Sequence, residues 1–448
     1  MSTPEFQVTI VGGGLAGSEA ALQLAARGLR VRLCEMRPAR TTPAHRTGNL
    51  AEIVCSNSLK STAPATPSRL LKDEMDRLGC RLLDLARAAS VPAGAALAVD
   101  KDEFSRGVEQ AVADAPTLVL DREAVTSLPA IEGHRWLVAT GPLTSEELVG
   151  ELGEITGRPS LHFFDAIAPT VTLESIDQDR LYRAARYDRG EADYLNAALD
   201  REQYEALVAE LLASQKAEVH DFDRSELFSG CQPVEEIAAS GPQSLAFGPL
   251  RPVGLVDPGT GRRPHAVIQL RQENREGTLY GLVGFQTRLK FGEQKRVFRT
   301  IPGLENAEFV RYGQLHRNFY LDSPRCLRPD YALAARPDIH VAGQITGVEG
   351  YVESIASGLV TALHVAAAFA GGRIEPLPAE TMLGGLLGGF LFDQTAERFS
   401  PMNANFGLLP ELGHKVRGKR ERKLAKAERA LAALEQWLGS VDLPPADR

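Results

Sequence analysis

The chain has few cysteines, few aromatic residues and no long apolar run, and each shortage removes a class of protein. Its five cysteines are Cys34, Cys55, Cys80, Cys231 and Cys326, and no two lie close enough for a CxxC pair. That excludes a local zinc knuckle, a dithiol redox pair and a small disulfide scaffold. Aromatic residues make up 6%. The most apolar late stretch, Leu383 to Phe392, has 10 residues and is too short to cross a bilayer. No charged leader with an apolar stretch precedes the first strand, so a reduced, cytoplasmic protein with no membrane, metal or obligate protein partner is expected. A basic excess is missing too: the formal charge is −8, which by itself speaks against a nucleic-acid binder.

What is present suits a soluble protein of two or three domains. The 448 residues are 44% hydrophobic and 24% charged, enough apolar material for sizeable cores. Val8 to Val11 reads as a strand, Gly12-Gly13-Gly14-Leu15-Ala16-Gly17 as a glycine turn, Ser18 to Arg27 as a helix and Val31 to Glu35 as a second strand. In such a unit one glycine permits the tight turn, one lets the backbone approach a pyrophosphate, and one allows helix and strand to close. Glu35, with Met36 and Arg37 after it, ends the second strand where a carboxylate would accept ribose hydroxyls. A bound dinucleotide follows.

Two later glycine motifs favour FAD over NAD. Trp136 to Ala139 runs into Thr140-Gly141, and Asp338 to Gly343 is followed by Gln344, Gly347, Glu349, Gly350, Tyr351 and a helix from about Glu353 to Ala368. A late strand and helix that return to the first nucleotide unit look like flavoproteins whose returning helix faces the flavin. Between them, from about Phe164 to Cys326, the texture changes to mixed helix and hairpin, including a predicted hairpin of Val253–Leu255 and Ala266–Leu270 around the Asp257–Gly261 turn. The expected fold is α/β: a Rossmann-like FAD-binding domain (1–163 and 327–448) split by an α+β insertion domain (164–326), with a C-terminal helix read over Lys415–Leu438.

Two cysteines sit where a thiol could react. Cys55 lies in the polar loop Pro38–Thr66 with Asn57 beside it, and Cys231 lies between Gly230 and a proline turn in the insertion. Turn thiols tend to be exposed and hence available, although a free cysteine is more commonly a small buried hydrophobe. His45 and His316 stand in polar stretches and are candidates for proton transfer.

Several strings taken together resemble one family: Gly12 to Arg37, Thr42-Pro43-Ala44-His45, Val54-Cys55-Ser56-Asn57-Ser58-Leu59, Val91-Pro92-Ala93-Gly94, Gly230-Cys231-Gln232-Pro233-Val234-Glu235, Gly343 to Ser357 and Pro401 to Leu409. They are similar to the folate- and FAD-dependent tRNA (uracil-5-)-methyltransferases, of the glucose-inhibited-division type of tRNA-modifying flavoproteins, over nearly the whole chain. The resemblance implies transfer of a one-carbon unit from 5,10-methylenetetrahydrofolate to uracil C5 at T-loop position 54 of tRNA, with FADH2 as reductant regenerated by NAD(P)H. It implies two working thiols, Cys231 adding at uracil C6 and Cys55 on the flavin side as base or methylene carrier. For the folate, loops near Tyr351 and Pro401 to Phe406 are the candidates. Three other readings stay open on the residues alone. These are an NAD(P)H-dependent flavin oxidoreductase of a small molecule, a non-catalytic flavin-holding RNA binder, and a wobble-uridine-modifying flavoprotein, the last usually longer at its C-terminus.

Charge distribution softens the objection from net charge. Residues 251–330 carry +6 and residues 411–448 carry +3, leaving −17 on the rest. Lys419, Arg420 and Lys423 in the tail helix are the candidate tRNA contacts, since phosphate binding needs only a local positive stripe.

Overall fold

The computed structural model describes residues 5–446 apart from 160, 189–190, 218–231, 396, 398 and 444. Val8–Val11 is the middle strand of a five-stranded, all-parallel sheet in the spatial order Ile339–Val341, Arg135–Val138, Val8–Val11, Val31–Cys34, Leu118–Asp121. The strands are short and nearly all apolar, as expected where helices cover both faces. The first helix, Leu15–Ala25, is buried along its whole length. The returning helix, Tyr351–Phe369, packs against it. That helix is long and apolar enough to cross a membrane, yet it is buried in this core.

The chain leaves and re-enters this half through one antiparallel pair, Leu161–Ala166 with Leu315–Tyr320. Between them lies a six-stranded antiparallel sheet in the order Tyr182–Ala184, Tyr194–Leu199, Ala266–Gln272, Leu279–Leu282, Thr170–Thr172, Phe309–Arg311. It has its own core, which includes Tyr204, Phe285 and Phe298. The predicted hairpin is not formed. Ala266–Gln272 pairs with Tyr194–Leu199 and with Leu279–Leu282. The Val253–Leu255 stretch stays irregular because Pro252 has no N–H to donate and Gly254 takes φ +82°.

Three further elements differ from those expected. Ser58–Ser61 inside the long loop forms a strand with Ala96–Val99 and Ser90–Val91. The returning helix begins two residues early, at Tyr351. The tail helix spans Lys419–Ser440, because Gly418 at φ +91° breaks any helix before it.

Candidate active site

The first glycine turn is closed on all sides but one. A Cβ on Gly12 would lie 2.6 Å from the Ala139 carbonyl oxygen, and one on Gly17 would lie 1.9 Å from that of Gly12. A Cβ on Gly14 would meet nothing within 4 Å. The strand, turn and helix are thus in backbone contact, and Gly14 leaves an open approach to the N–H groups that begin the Leu15–Ala25 helix. This is the form of a pyrophosphate cradle.

Glu35 stands beside the cradle. Its Oε2 accepts from Gly13 N at 2.8 Å and its Oε1 from Arg37 N and Nε at 3.0 and 2.8 Å. Burial pushes its carboxyl upward, but the hydrogen bonds and charge of Arg37 outweigh this and hold it below the usual carboxylate value. The ionised group keeps lone pairs free for ribose hydroxyls. Arg37 is itself buried and reaches Glu52 at 2.9 Å. A narrow cleft of about 70 Å³ joins Gly12, Gly14, Glu35, Met36, Arg37, His45 and Thr140.

A second cavity, of about 380 Å³, lies where the two halves meet, and Leu143 lines both spaces. It collects Cys55, Lys60, Asp165, Arg271, Glu273, His316, Gln344, Glu349, Gly350, Tyr351 and Asn403 from segments far apart in sequence. The loop holding Cys55 is fixed from both sides. Cys55 N donates to Tyr351 Oη at 2.7 Å, and Lys101 Nζ donates to the Cys55 carbonyl at 3.5 Å. The half-buried Cys55 thiol is pushed up to about 12, mainly by burial and then by the Asp165 carboxylate. Gly350, at φ +117°, begins the returning helix, and a Cβ there would strike Glu353 and Lys60. Those two side chains form an ion pair at 2.5 Å under the helix start. Glu349 is buried next to Gln344, and burial followed by the Asp165 charge raises its carboxyl well above the ordinary value. Burial thus favours its protonated form.

The expected site residues divide between the two spaces. Gly12, Gly14, Glu35, Met36, Arg37 and Thr140 line the cleft, and Gly13, Leu15, Ala16, Gly17 and Gly141 are adjacent to them in the chain but do not line it. Cys55, Gln344, Glu349, Gly350 and Tyr351 meet at the cavity, with Gly343 behind them, its N–H held by Ser357 Oγ at 3.0 Å. Asn57 enters neither. It is fully buried, its amide donates to Val99 O and Gln272 O at 2.9 Å each, and its carbonyl accepts from Arg271 Nε at 2.8 Å. It is a strut between the halves. His45 and His316 are held apart, one in the cleft and one in the cavity, and burial pushes both down to about 4. Both are neutral at physiological pH. Cys231 lies outside the described residues. Sequence reading missed Asp165, Arg271 and Glu273, which carry no local motif and reach the cavity through the strands of the insertion, and also Lys60 at the cavity and Lys101 beside Glu273, both from the other half.

On the tail helix, Lys419 and Arg420 are exposed and Lys423 is half-buried, its Nζ 5.7 Å from the Phe406 ring centre. Lys426 in the same run is buried and bonds to the Leu409 carbonyl and Glu411, so part of this basic run is structural.

Residues 7–373 match the family described as Glucose inhibited division protein A. The chain is 53% identical over 434 residues to the methylenetetrahydrofolate–tRNA-(uracil-5-)-methyltransferase TrmFO of Desulforudis audaxviator, covering 96% of this chain and 98% of that one. It is 51% identical to the enzyme of the same name from Moorella thermoacetica, covering 97% and 98%. The chain belongs to this family. Among solved structures, GidA of Aquifex aeolicus in its form II crystal aligns with TM-score 0.70 at 16% identity, over 98% of this chain and 74% of that one. At that identity it bears on the fold, which is the α/β architecture with a split nucleotide-binding half expected from the sequence.

Proposed function

We propose that this chain methylates C5 of a uridine in tRNA, taking the carbon from 5,10-methylenetetrahydrofolate, and that its two spaces hold the two ends of one FAD. The carrying observation is the continuity of the glycine cradle, the Glu35 cleft and the Cys55–Tyr351 cavity around Leu143. That arrangement fits a cofactor with pyrophosphate and ribose at one end and a reactive ring at the other. Bound FAD, reduced by NAD(P)H, supplies the hydride that completes the methyl group.

The chain's own groups then have definite work. The helix start at Tyr351 and the Glu349 carboxyl, which burial biases toward its protonated form, would hold the reactive ring of the cofactor. Lys60, paired with Glu353, keeps a positive charge at the same place. By the family resemblance, Cys231 is the thiol that adds at uracil C6 and makes C5 nucleophilic. Cys55, kept as a thiol by burial, stays out of that addition and serves the carbon or proton transfer on the flavin side. The division at 163/164 and 326/327 separates the cofactor half from the half that faces tRNA and folate. The target base is the T-loop uridine, splayed from its stack to enter, and the reaction is placed in the cytoplasm.

The test is transfer of label from methylenetetrahydrofolate to unmodified tRNA. Label in 5-methyluridine that depends on NAD(P)H is the expected result. Rapid NAD(P)H oxidation on oxygen with no label in tRNA would replace this reading with a small-molecule flavin oxidoreductase.

A further inference from the structure

Three of the exposed large hydrophobic residues gather on one strip of the insertion. Phe247 is 78% exposed, Val256 59% and Tyr187 50%. Phe247 ends the short helix Ser244–Phe247, and an open groove next to it is lined by Gln243, Arg251, Val253, Arg263 and His265. The Tyr187 ring lies against Gly254, and Tyr187 N donates to the Gly254 carbonyl at 2.8 Å, which ties Tyr187 into the same strip. Arg186 Nη1 bonds to the carbonyls of Arg251 and Val253, so the strip is braced from below. An exposed, braced ring on a soluble protein marks a contact surface.

Charge says what kind of contact. Arg251, Arg262 and Arg263 are exposed, and their guanidinium groups have no hydrogen-bond or ion-pair partner among the described residues. From Gly241 to His265 the only carboxylate is Asp257, which is turned inward to Gly259 N and Thr260 Oγ1 at 3.0 and 2.9 Å. Position completes the argument. Gly284 lines the Cys55 cavity, and a Cβ on it would come within 2.5 Å of Pro249. Phe247 is two residues from Pro249, within roughly 7 Å along the chain. The strip therefore flanks the wall of the cavity that receives the base.

We infer that this strip is a docking platform for single-stranded RNA: Phe247 stacks an unpaired base that neighbours the target uridine, and Arg251, Arg262 and Arg263 take the adjoining phosphates. Aromatic stacking with basic flanks is how proteins hold splayed bases. The inference rests on the tRNA reading above and names its recognition surface.

The experiment measures binding of unmodified tRNA transcript by fluorescence anisotropy, together with methyl-transfer kinetics, on the FAD-loaded full chain. Phe247→Ala raises Kd and KM for tRNA about tenfold and leaves kcat, FAD content and flavin reduction unchanged. Phe247→Trp keeps near-normal values, whereas Phe247→Leu behaves like the alanine variant, because stacking and not bulk is required. Arg251→Glu with Arg263→Glu lowers the slope of log Kd against log salt by about 2. Unchanged tRNA affinity of Phe247→Ala in an enzyme that still transfers methyl overturns the platform and leaves the function standing. Phe247-dependent tRNA binding without methyl transfer does the reverse. If Phe247→Ala instead lowers the molar mass in light scattering at unchanged tRNA affinity, the strip joins two copies of this chain and the inference falls.

Discussion

In the parallel-sheet half, backbone meets backbone. The returning helix crosses the first helix where a Cβ on Gly358 would come 2.2 Å from the Ala16 carbonyl oxygen, and the glycine turn folds onto itself at Gly17. In the insertion, the core is closed by large rings such as Tyr204 and Phe285, while other rings and three arginines face outward. At Gly12, Gly17 and Gly358 the first half leaves no room for an added atom, and the glycine turn so formed has the shape that a dinucleotide requires. The second half carries its chemistry on side chains, so its backbone is free to differ and its surface can be changed without unfolding. At the seam, Cys55 from one half and Asp165 and Glu273 from the other line one cavity, where the proposed chemistry would fall.

The sharpest break in this comparison is a single methyl group in the tight half. Gly358→Ala forces the two helices apart and is expected to cost about 3 kcal/mol, seen as a fall in Tm and purification with little FAD. A retained flavin and unchanged Tm would mean that the helices are not locked together. Cys55→Ala tests the seam: methyl transfer drops at least about 100-fold while FAD content stays normal. Near-wild-type transfer would place Cys55 among the structural thiols.

Asn57→Ala removes the strut and leaves the Arg271 guanidinium and two carbonyls without their partner, at about 2 kcal/mol. Urea unfolding followed by fluorescence would show it, with the insertion losing its attachment first. A loss of FAD affinity with unchanged stability would instead assign Asn57 to the cofactor. The state of Cys55 gives a pH prediction. A thiol becomes reactive as pH rises through its own value, and burial moves that value from 9.0 up to about 12. Iodoacetamide labelling of Cys55, followed by peptide mass spectrometry, should climb about tenfold per pH unit from pH 7 to pH 10 without a plateau. A plateau near pH 9 would show an ordinary exposed thiol. The smallest effect is expected on the tail helix, where Lys419→Glu with Arg420→Glu and Lys423→Glu should raise the tRNA KM by a few-fold and flatten its salt dependence. Flavin reduction is unaffected.

How much the sequence could tell follows the same division. The cofactor half was legible because its requirements are local: Gly12, Gly14 and Gly17 sit at fixed spacing, and Glu35 ends the next strand. The thiol loop was legible as a candidate through its polar setting and the resemblance of its string. The carboxylates and lysines in and beside the cavity were not, because partners such as Lys101 and Glu273 meet across 172 residues. Asn57 was read as a cofactor contact because an amide lies next to a candidate thiol; its side chain bonds to Val99, Gln272 and Arg271, partners that only the tertiary structure reveals. The Val253–Leu255 strand failed because a turn signal between apolar runs cannot show that Ala266–Gln272 has better partners on both sides.

If the two halves form one site, flavin oxidation and methyl formation are a single coupled event. The most direct measurement is an anaerobic single turnover. FAD-loaded protein, pre-reduced and freed of NAD(P)H, is mixed with labelled methylenetetrahydrofolate and excess unmodified tRNA. One labelled methyl group per flavin is expected, formed at the rate at which the flavin is oxidised, and none thereafter. Methyl formation without flavin oxidation, or flavin oxidation without label in tRNA, would contradict the coupling.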